Sequence, residues 1–301
     1  MDLVKLRLLR DVAARGSIAA TARHLGYTPS AVSQQLSSLE RQSGVTLLER
    51  THRGVTLTPA GRLLERRAQR VLEELEEAEA EMASAVGSVR GQVKIGTFTS
   101  ASASLCAPAA VALAQRHPDL VMTFVEYEPL DSPRAVLLGD LDLAIVVSWD
   151  HAPTTIPPEL VSRRLVTEEL IVAHAPDVAA PRSLRDVAGD RWIMSSESTI
   201  CGRATREACR SAGFEPDVAH LTDDFGVAMA YASAGLGVAL IPPLAFSSQS
   251  PPSGVCLTTI DPPVVRYADV VTRASNANHP LIAAALEALV EAAADVKLDV
   301  W

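Results

Sequence analysis

The chain has 301 residues, 48% of them hydrophobic and only 4% aromatic, and a net charge of −9. This length suits two folded units with a connector, and no stretch approaches the roughly 18 consecutive apolar residues of a membrane-spanning helix. We therefore expect no membrane partner. Because the first residues carry scattered charges and no apolar signal segment, we also expect a cytoplasmic protein.

The charge is distributed unevenly along the chain. Residues 1–70 contain 12 lysines and arginines against 5 acidic residues, a balance of +7, so the remainder carries −16. Neutralisation of phosphate is a local effect, and a basic first segment is therefore compatible with nucleic-acid binding despite the acidic total. Random scatter of surface charge is the alternative explanation.

Three short helices are predicted within the first 43 residues. Leucine, valine and alanine recur at helical spacing in residues 3–13 and 18–25, and Gly16 and Gly26 end these two helices. Thr28 then offers a capping hydroxyl and Pro29 follows at the first helical position, where its missing N–H costs nothing. A short helix, a glycine turn and a second capped helix predict a helix-turn-helix.

The third helix of this set has two different faces. Val32, Leu36 and Leu39 form an apolar stripe. The opposite face carries small hydroxyls, an amide and one cation, at Ser30, Ser33, Gln34, Ser37 and Arg41. Such groups can approach base edges closely, and glutamine can bond adenine through two hydrogen bonds in the major groove. A small helical bundle with a polar surface is the alternative.

A hairpin is predicted after the third helix. Two short extended pieces, around residues 47–49 and 55–58, enclose a basic turn that contains Arg50 and Arg53. Arginines at the tip of such a wing suit contact with phosphates or the minor groove.

A long helix is predicted from residue 59 to about residue 88. One seam of it repeats apolar residues at spacings of four and three, at Leu64, Ala68, Val71, Leu75, Ala78 and Met82. A single helix cannot bury such a seam, so the pattern predicts a homodimer. Four arginines precede six glutamates along the helix, which favours antiparallel pairing.

The stretch GSIAATARHLGYTPSAVSQQLSSLERQSGVTLLERTHRGVTLTPAGRLL resembles the N-terminal signature of LysR-type transcriptional regulators. The matching pieces include "PSAVSQQL", "G..LL.R" and "V.LTPAG". By position in that motif, the resemblance implies DNA contacts at Thr28, Pro29, Ser30, Ser33, Gln34 and, on the wing, Arg53. We add Ser37 and Arg50 from their places on the exposed helix face and at the wing.

Beyond residue 91, strands alternate with helices. We predict strands at Val93–Phe98, Leu120–Glu126, Leu141–Val147, Glu169–His174, Trp192–Ser195, Val218–Leu221, Gly237–Ile241 and Val265–Thr272. Regular alternation predicts parallel sheets covered on both faces. The resemblance implies a two-lobed effector domain like the periplasmic binding proteins, with the chain crossing between lobes near residues 165 and 265.

The predicted fold is α/β overall. Residues 1–58 form a mostly α winged helix-turn-helix, residues 59–90 a linker and dimerisation helix, and residues 91–301 an effector domain. Its first lobe is predicted to contain residues 91–165 and 266–301, and its second lobe residues 166–265.

An effector site is predicted between the lobes, because ligands of open α/β sheets sit at the carboxyl ends of strands. Nine candidates follow predicted strands: Thr99, Ser100, Ser102, Ser148, Trp149, Ser195, Ser196, Asp223 and Phe225. Plain capping or turn chemistry is the alternative for each polar one. The aspartates at 223 and 224 suggest a cationic or hydroxyl-bearing effector.

The predicted function is that of a ligand-responsive transcription regulator. A dimer would present two recognition helices about 34 Å apart, which predicts a pseudo-palindromic site in double-stranded promoter DNA. The family's usual assembly is a dimer of dimers. A small-molecule effector would alter the closure of the lobes and thereby the promoter complex.

Three other functions were weighed. A solute-binding component lacks the signal segment it would need. An enzyme is not supported, because we find no catalytic, nucleotide or metal-binding motif and expect no cofactor or metal. A thiol redox sensor would use Cys201 and Cys209, which lie eight residues apart, but nothing nearby guarantees the lowered thiol pKa that reactivity requires.

Overall fold

The computed structural model describes residues 2–52, 54–86, 89–247, 251–296 and 298. The contacts divide the chain into two units, Met1–Gly87 and Ser88–Trp301. No helix among these described residues is both long and apolar enough to cross a membrane.

Four helices and a two-stranded hairpin are present in the part of the first unit that the structure describes. Its elements are α1 Leu3–Arg15, α2 Ile18–Leu25, α3 Pro29–Ser43, β1 Leu48–Thr51, β2 Gly54–Leu57 and α4 Pro59–Val86. Strands β1 and β2 pair antiparallel. The predicted helices and the hairpin are confirmed.

Local capping explains where the short helices begin. The Ser17 hydroxyl accepts a hydrogen bond from Ala20 N at 3.3 Å, and the Thr28 hydroxyl accepts one from Ala31 N at 3.2 Å. These bonds satisfy backbone donors that a helix leaves free in its first turn. Gly26 follows α2 at φ +71°, a left-handed conformation that residues with a Cβ rarely adopt.

The core of the first unit is formed by the inner faces of α1 and α3. Its best-buried side chains, each at most 2% exposed, include Leu9, Val12, Val32, Leu36 and Leu39. Ala68 of α4 is 1% exposed in the same cluster, and Leu64 packs against it. These two residues were predicted to form a dimer seam. Ala68 is therefore buried within its own unit and is not free for a dimer seam, whereas Leu64 is half-buried and its part in a seam stays a prediction.

The later part of the α4 seam is different. Val71 is 47% exposed and Met82 is 63% exposed, while Ala78 is exposed and Leu75 is half-buried. Four seam positions therefore remain available on the surface of the first unit.

The described residues of the second unit form ten strands. They are β3 Gly91–Thr97, β4 Leu120–Glu126, β5 Leu143–Trp149, β6 Leu160–Glu169, β7 Ile171–His174, β8 Arg191–Met194, β9 Asp217–Leu221, β10 Ala239–Ile241, β11 Cys256–Thr259 and β12 Val265–Arg273.

Six α-helices accompany these strands: α5 Thr99–Ala101, α6 Ala107–Arg116, α7 Ser132–Leu138, α8 Ile200–Ser211, α9 Phe225–Ser233 and α10 Pro280–Ala294. A π-helical segment, Ser102–Cys106, joins α5 to α6. Short 3₁₀ helices occur at Leu184–Val187, Pro243–Ala245 and Ala274–Asn276.

The first lobe is built on a five-stranded sheet in the order β4-β3-β5-β12-β6. Strand β3 pairs parallel with β4 and β5, whereas β12 pairs antiparallel with β5 and β6. One face packs against α6 and α10 through buried residues such as Leu113 and Leu289.

The second lobe contains β10-β7-β11, all antiparallel, and the parallel pair β8-β9. A hydrogen bond of 2.8 Å from Ile193 N to Val238 O connects β8 to the residue before β10. The two groups of strands therefore form neighbouring parts of one layer.

Three expectations for the second unit need correction. The sheets are mixed, because strands that enter from the other lobe need no helical crossover and can run antiparallel. Strands β6 and β11 were not predicted. Strand β6 stays in the first-lobe sheet through Glu169, so the chain leaves that sheet four residues later than the predicted crossing near residue 165.

Truncation of a buried leucine tests the packing of the first unit. Leu39 is 0% exposed, so Leu39→Ala should lower the free energy of unfolding of this unit by about 2–5 kcal/mol. Hydrogen–deuterium exchange of the full chain should become faster over α1–α3 and stay unchanged in the second unit. The control Val45→Ala, at a position 47% exposed, should leave both unchanged. Equal exchange in Leu39→Ala and the parent chain would contradict the assigned core.

Candidate functional site

The outer face of α3 is a polar surface. Thr28, Pro29, Ser30 and Gln34 are exposed, whereas Ser33 and Ser37 are half-buried. The hydroxyls of Thr28 and Ser30 lie 3.0 Å apart. All six predicted positions thus lie on the side of α3 opposite the buried stripe, or at its N-terminus. None of the six belongs to the hydrophobic core cluster of this unit.

The acidic residue of α3 has a structural role. The Glu40 carboxylate accepts hydrogen bonds from Leu47 N at 2.8 Å and from Leu48 N at 3.2 Å. It therefore fixes the start of the hairpin relative to α3, and the rest of the helix surface carries no carboxylate.

The hairpin is also tied to the turn before α2. Val55 N donates to Gly16 O at 2.9 Å, and a Cβ on Gly54 would come within 2.3 Å of that same oxygen. Glycine is therefore required for this close approach. Arg50 lies exposed on β1. The predicted contact Arg53 lies outside the described residues.

A cavity of about 170 Å³ lies between the lobes of the second unit. It is lined by Phe98, Thr99, Ser100, Glu126, Tyr127, Glu128, Pro129, Val147, Ser195, Thr199, Cys201, Asp223, Phe225 and Arg266. The segments that follow β3, β4, β8 and β9 all contribute, as expected for the carboxyl ends of strands.

Five of the nine predicted effector residues line this cavity: Thr99, Ser100, Ser195, Asp223 and Phe225. The structure thus brings together residues that are more than 120 positions apart in the sequence. Their role in binding stays a prediction.

The other four predicted residues do not line the cavity, and their hydrogen bonds or burial explain why. The Ser102 hydroxyl donates to Phe98 O at 3.1 Å within its own helical segment. The Ser148 hydroxyl accepts from Thr154 N at 3.1 Å, and the Ser196 hydroxyl lies 2.8 Å from that of Ser198.

The prediction that Trp149 stacks on a ligand also needs correction. It is 1% exposed and packs in the hydrophobic cluster beside α8. It therefore offers no stacking surface to a ligand.

Sequence reasoning missed nine lining residues. Four of them, Glu126 to Pro129, are the last residue of β4 and the three that follow it, so the rule applied to the other strands would have found them. Arg266 gave no such signal, because it lies near the start of β12, an antiparallel strand. The remaining four, Phe98, Val147, Thr199 and Cys201, lie next to predicted residues or at the beginning of α8.

The carboxylates of the cavity are held by neighbouring donors. Glu128 accepts from Ile200 N at 3.0 Å, and Asp223 accepts from Ser196 N at 3.0 Å. Glu126 accepts from the Thr99 hydroxyl at 3.0 Å. Each of these hydrogen bonds uses one carboxylate oxygen.

One cation lies among the described lining residues. Arg266 is 0% exposed and faces Glu168, which is 2% exposed, across β12 and β6. Arg266 Nε donates to Glu168 Oε1 at 2.7 Å, and Nη2 lies 2.6 Å from the same oxygen. The direction from Nη2 is poor, so this nitrogen makes no aligned hydrogen bond within the described part of the chain.

The two cysteines of α8 are unreactive in this arrangement. Burial raises the pKa of the Cys201 thiol to about 11 and that of the Cys209 thiol to about 12, so neither is ionised near neutral pH. Eight residues of helix separate their Cα atoms by about 12 Å, whereas a disulfide needs less than about 7 Å. A disulfide between them would require α8 to unwind.

The residues that the structure describes contain no group of three or more histidine, cysteine, aspartate or glutamate side chains that could hold a metal ion.

Comparison with known proteins matches both units. The family model for the LysR substrate binding domain matches residues 87–294. The family model for the bacterial regulatory helix-turn-helix protein, lysR family, matches residues 3–62.

Individual relatives agree with this. The transcriptional dual regulator GltC of Bacillus subtilis (strain 168) is 27% identical over 275 residues, which cover 90% of each chain. The HTH-type transcriptional regulator DmlR of Escherichia coli (strain K12) is 32% identical over 197 residues, which cover 64% of this chain and 61% of DmlR.

Solved structures show a similar fold at low sequence identity. A full-length OxyR variant from Pseudomonas aeruginosa has a TM-score of 0.72 at 20% identity and covers 99% of this chain and 96% of its own. Full-length CbnR complexed with its target DNA has a TM-score of 0.54 at 21% identity, covering 97% of this chain and all 100% of CbnR.

Removal of the charge on Glu168 tests the buried ion pair. Glu168→Gln leaves the Arg266 guanidinium buried without a counter-charge, and we expect the second unit to lose about 3–5 kcal/mol of stability. Urea unfolding followed by the fluorescence of the buried Trp149 and Trp192 measures this loss. The control is Glu169→Gln, which changes the exposed neighbouring glutamate and should alter the free energy of unfolding by less than about 0.5 kcal/mol. Equal midpoints for the two variants would contradict the assigned pair.

Proposed function

The chain belongs to the LysR family of transcriptional regulators, and from this premise we propose which of its residues contact DNA, the effector and a second subunit. It is a DNA-binding regulator with an effector-binding domain, and not an enzyme. We retain residues 1–58, 59–90 and 91–301 as the ranges for reading DNA, linking and effector binding. Because its target is DNA, we place its action in the cytoplasm.

The outer face of α3 is proposed to enter the major groove of promoter DNA. The observation that carries this assignment is that Ser30, Ser33, Gln34 and Ser37 lie on the solvent side of a helix whose other side is core. Small hydroxyls let the backbone approach the bases, and the Gln34 amide can donate to and accept from one adenine. Thr28 and Pro29, at the N-terminus of α3, would lie near the phosphates.

The hairpin is proposed to contact the DNA backbone. Arg50 is exposed on β1, and Val55 on the paired strand is bonded to the turn before α2. This attachment gives the wing a fixed position beside α3, so that a cation on it can reach a phosphate. We assign the same role to Arg53 on sequence grounds alone.

Dimerisation is proposed to use the exposed part of the α4 seam, Val71, Leu75, Ala78 and Met82. Ala68 serves the core of its own unit instead, whereas the half-buried Leu64 stays a predicted seam position. An antiparallel pair would place the arginines before Val71 beside the partner's glutamates. Two recognition helices about one DNA turn apart then predict a pseudo-palindromic site, and we expect two such dimers to associate.

The effector is proposed to bind in the 170 Å³ cavity and to shift the population of lobe arrangements. A ligand changes such an equilibrium only through a difference in its affinity for the two arrangements. Lining residues from both lobes support this proposal, because a ligand that contacts both lobes would lose part of its contacts when the lobes separate.

Substitution of two glutamines of α3, one at a time, tests the DNA contact. Gln34→Ala removes the proposed contact to a base and should weaken binding to the DNA upstream of the chain's own gene by roughly tenfold, since a bidentate contact contributes about 1–3 kcal/mol. Gel shifts at fixed salt measure this. The control Gln42→Ala changes an exposed glutamine at the far end of α3 and should bind like the parent chain. If both variants keep full affinity, α3 is not the reading helix.

Substitution of two exposed valines, one in the α4 seam and one outside it, tests the proposed dimer interface. Val71→Glu puts a charge into the exposed seam at a position 47% exposed and should convert the dimer to monomer in light scattering after size-exclusion chromatography. Val161→Glu makes the same change at a strand position 44% exposed and should keep the parent mass. A dimer that survives Val71→Glu would show that the interface lies elsewhere.

A further inference from the structure

We propose that the effector is a small amine that also carries an oxygen acceptor, such as an amino acid or its amide. The ammonium group would lie against Glu126 and Asp223, and the oxygen against Ser100 and Arg266. This inference rests on the proposed function, because it specifies the ligand class of the same cavity.

The negative charge of the cavity favours an ammonium group. Three carboxylates, those of Glu126, Glu128 and Asp223, line it. In the described part of the chain, the hydrogen bonds of each use one oxygen, to Thr99, Ile200 and Ser196 respectively. The second oxygen of each carboxylate can therefore accept from a ligand.

The basic side chain of the lining does not offset these carboxylates. Arg266 is paired with Glu168 at 2.6–2.7 Å, and this pair is neutral as a whole. An effector that carries only a negative charge would meet three carboxylates with no free counter-charge. Like charges within a few ångströms in a partly buried site repel strongly.

One buried donor of the lining lacks an acceptor, and a second is only partly satisfied. The Ser100 hydroxyl has no hydrogen-bond partner among the described residues. Arg266 Nη2 lies 2.6 Å from Glu168 Oε1 but makes no well-aligned hydrogen bond there. Ser100 is 7% exposed and Arg266 is 0% exposed, and both line the cavity. Leaving such groups unsatisfied is costly, and one carbonyl or carboxylate oxygen of a ligand would satisfy them. An amine without such an oxygen would not.

The size and walls of the cavity fit a compact molecule. Its volume is about 170 Å³, close to the roughly 150 Å³ of an engineered protein cavity that binds benzene. Phe98, Tyr127, Phe225 and Val147 supply apolar surface. Aromatic faces stabilise a nearby ammonium group and also accept a short apolar side chain.

Pairs of compounds that differ by one amine test the ligand class. The thermal unfolding of the full chain is measured with each of the twenty amino acids and with matched acids that lack the amine, such as propanoate for alanine and 4-methylpentanoate for leucine. Leucinamide tests whether a neutral acceptor suffices. We expect at least one amino acid or its amide to raise the midpoint by several degrees, and its matched acid to give no shift.

Isosteric variants test the assigned contacts. With the amine that binds, calorimetry should give at least tenfold weaker affinity for Asp223→Asn and for Glu126→Gln, which keep the acceptor oxygens that hold Ser196 N and the Thr99 hydroxyl. The control Asp217→Asn changes an exposed carboxylate on β9 that does not line the cavity and should bind like the parent chain. Ser195→Phe fills the cavity and should abolish binding.

The outcomes separate the two proposals. If a matched acid binds better than its amino acid and Ser195→Phe abolishes that binding, the cavity is the effector site and the amine class is wrong. If no amino acid or amide changes the midpoint, the amine class is also wrong. If an amine binds equally well to Ser195→Phe, the effector site lies elsewhere and the proposed function of the cavity fails.

Discussion

The second unit depends on one buried carboxylate, that of Glu168. Its Oε1 accepts from Arg266 Nε at 2.7 Å, and its Oε2 accepts from Leu244 N at 2.8 Å. Burying an ionised carboxylate costs several kcal/mol unless partners compensate, so these partners must keep their places. Glu168 and these two partners belong to three separate stretches of chain: β6, β12 and the 3₁₀ helix at Pro243–Ala245. That helix follows β10 of the second lobe, while the Leu244 side chain packs in the core of the first.

This arrangement gives a ligand in the cavity a physical route to the rest of the unit. Arg266 lines the cavity and also contacts Glu168, so a ligand oxygen bound at Nη2, as proposed, would compete with the contact to Glu168. Glu168 and Arg266 lie in β6 and β12, close to where the chain crosses between lobes. Such a ligand would change the balance of hydrogen bonds at this crossing. A preference for one lobe arrangement would then shift the population, with no chemical step.

Structural features that depend on neighbouring residues could be predicted from the sequence, whereas features that depend on partners far away in the chain were missed. Ser17 and Thr28 cap helices through bonds three residues away, so their effect can be predicted from neighbouring residues. Strand β6 reads LVSRRLVTEE, with too many polar residues for a recognisable strand, and it forms because β12, about 100 residues later, pairs with it. Trp149 was misplaced because it lies on the same face of β5 as Val147, where a hydrophobic cluster with residues of α8 covers it. Arg266 was missed because β12 runs antiparallel to β5 and β6.

Helix α4 is basic in its first part and acidic in its second part, and this separation makes an acidic chain compatible with DNA binding. Its first turns pack on the core of the reading unit through Leu64 and Ala68, and four arginines lie between residues 62 and 70. Six glutamates follow between residues 73 and 81. Residue 73 is about 21 Å along the helix from its start at Pro59, which exceeds the screening length of about 8–10 Å at physiological salt. A DNA phosphate near the start of α4 would therefore interact mainly with the arginines, and the net charge of −9 would have little influence on that interaction.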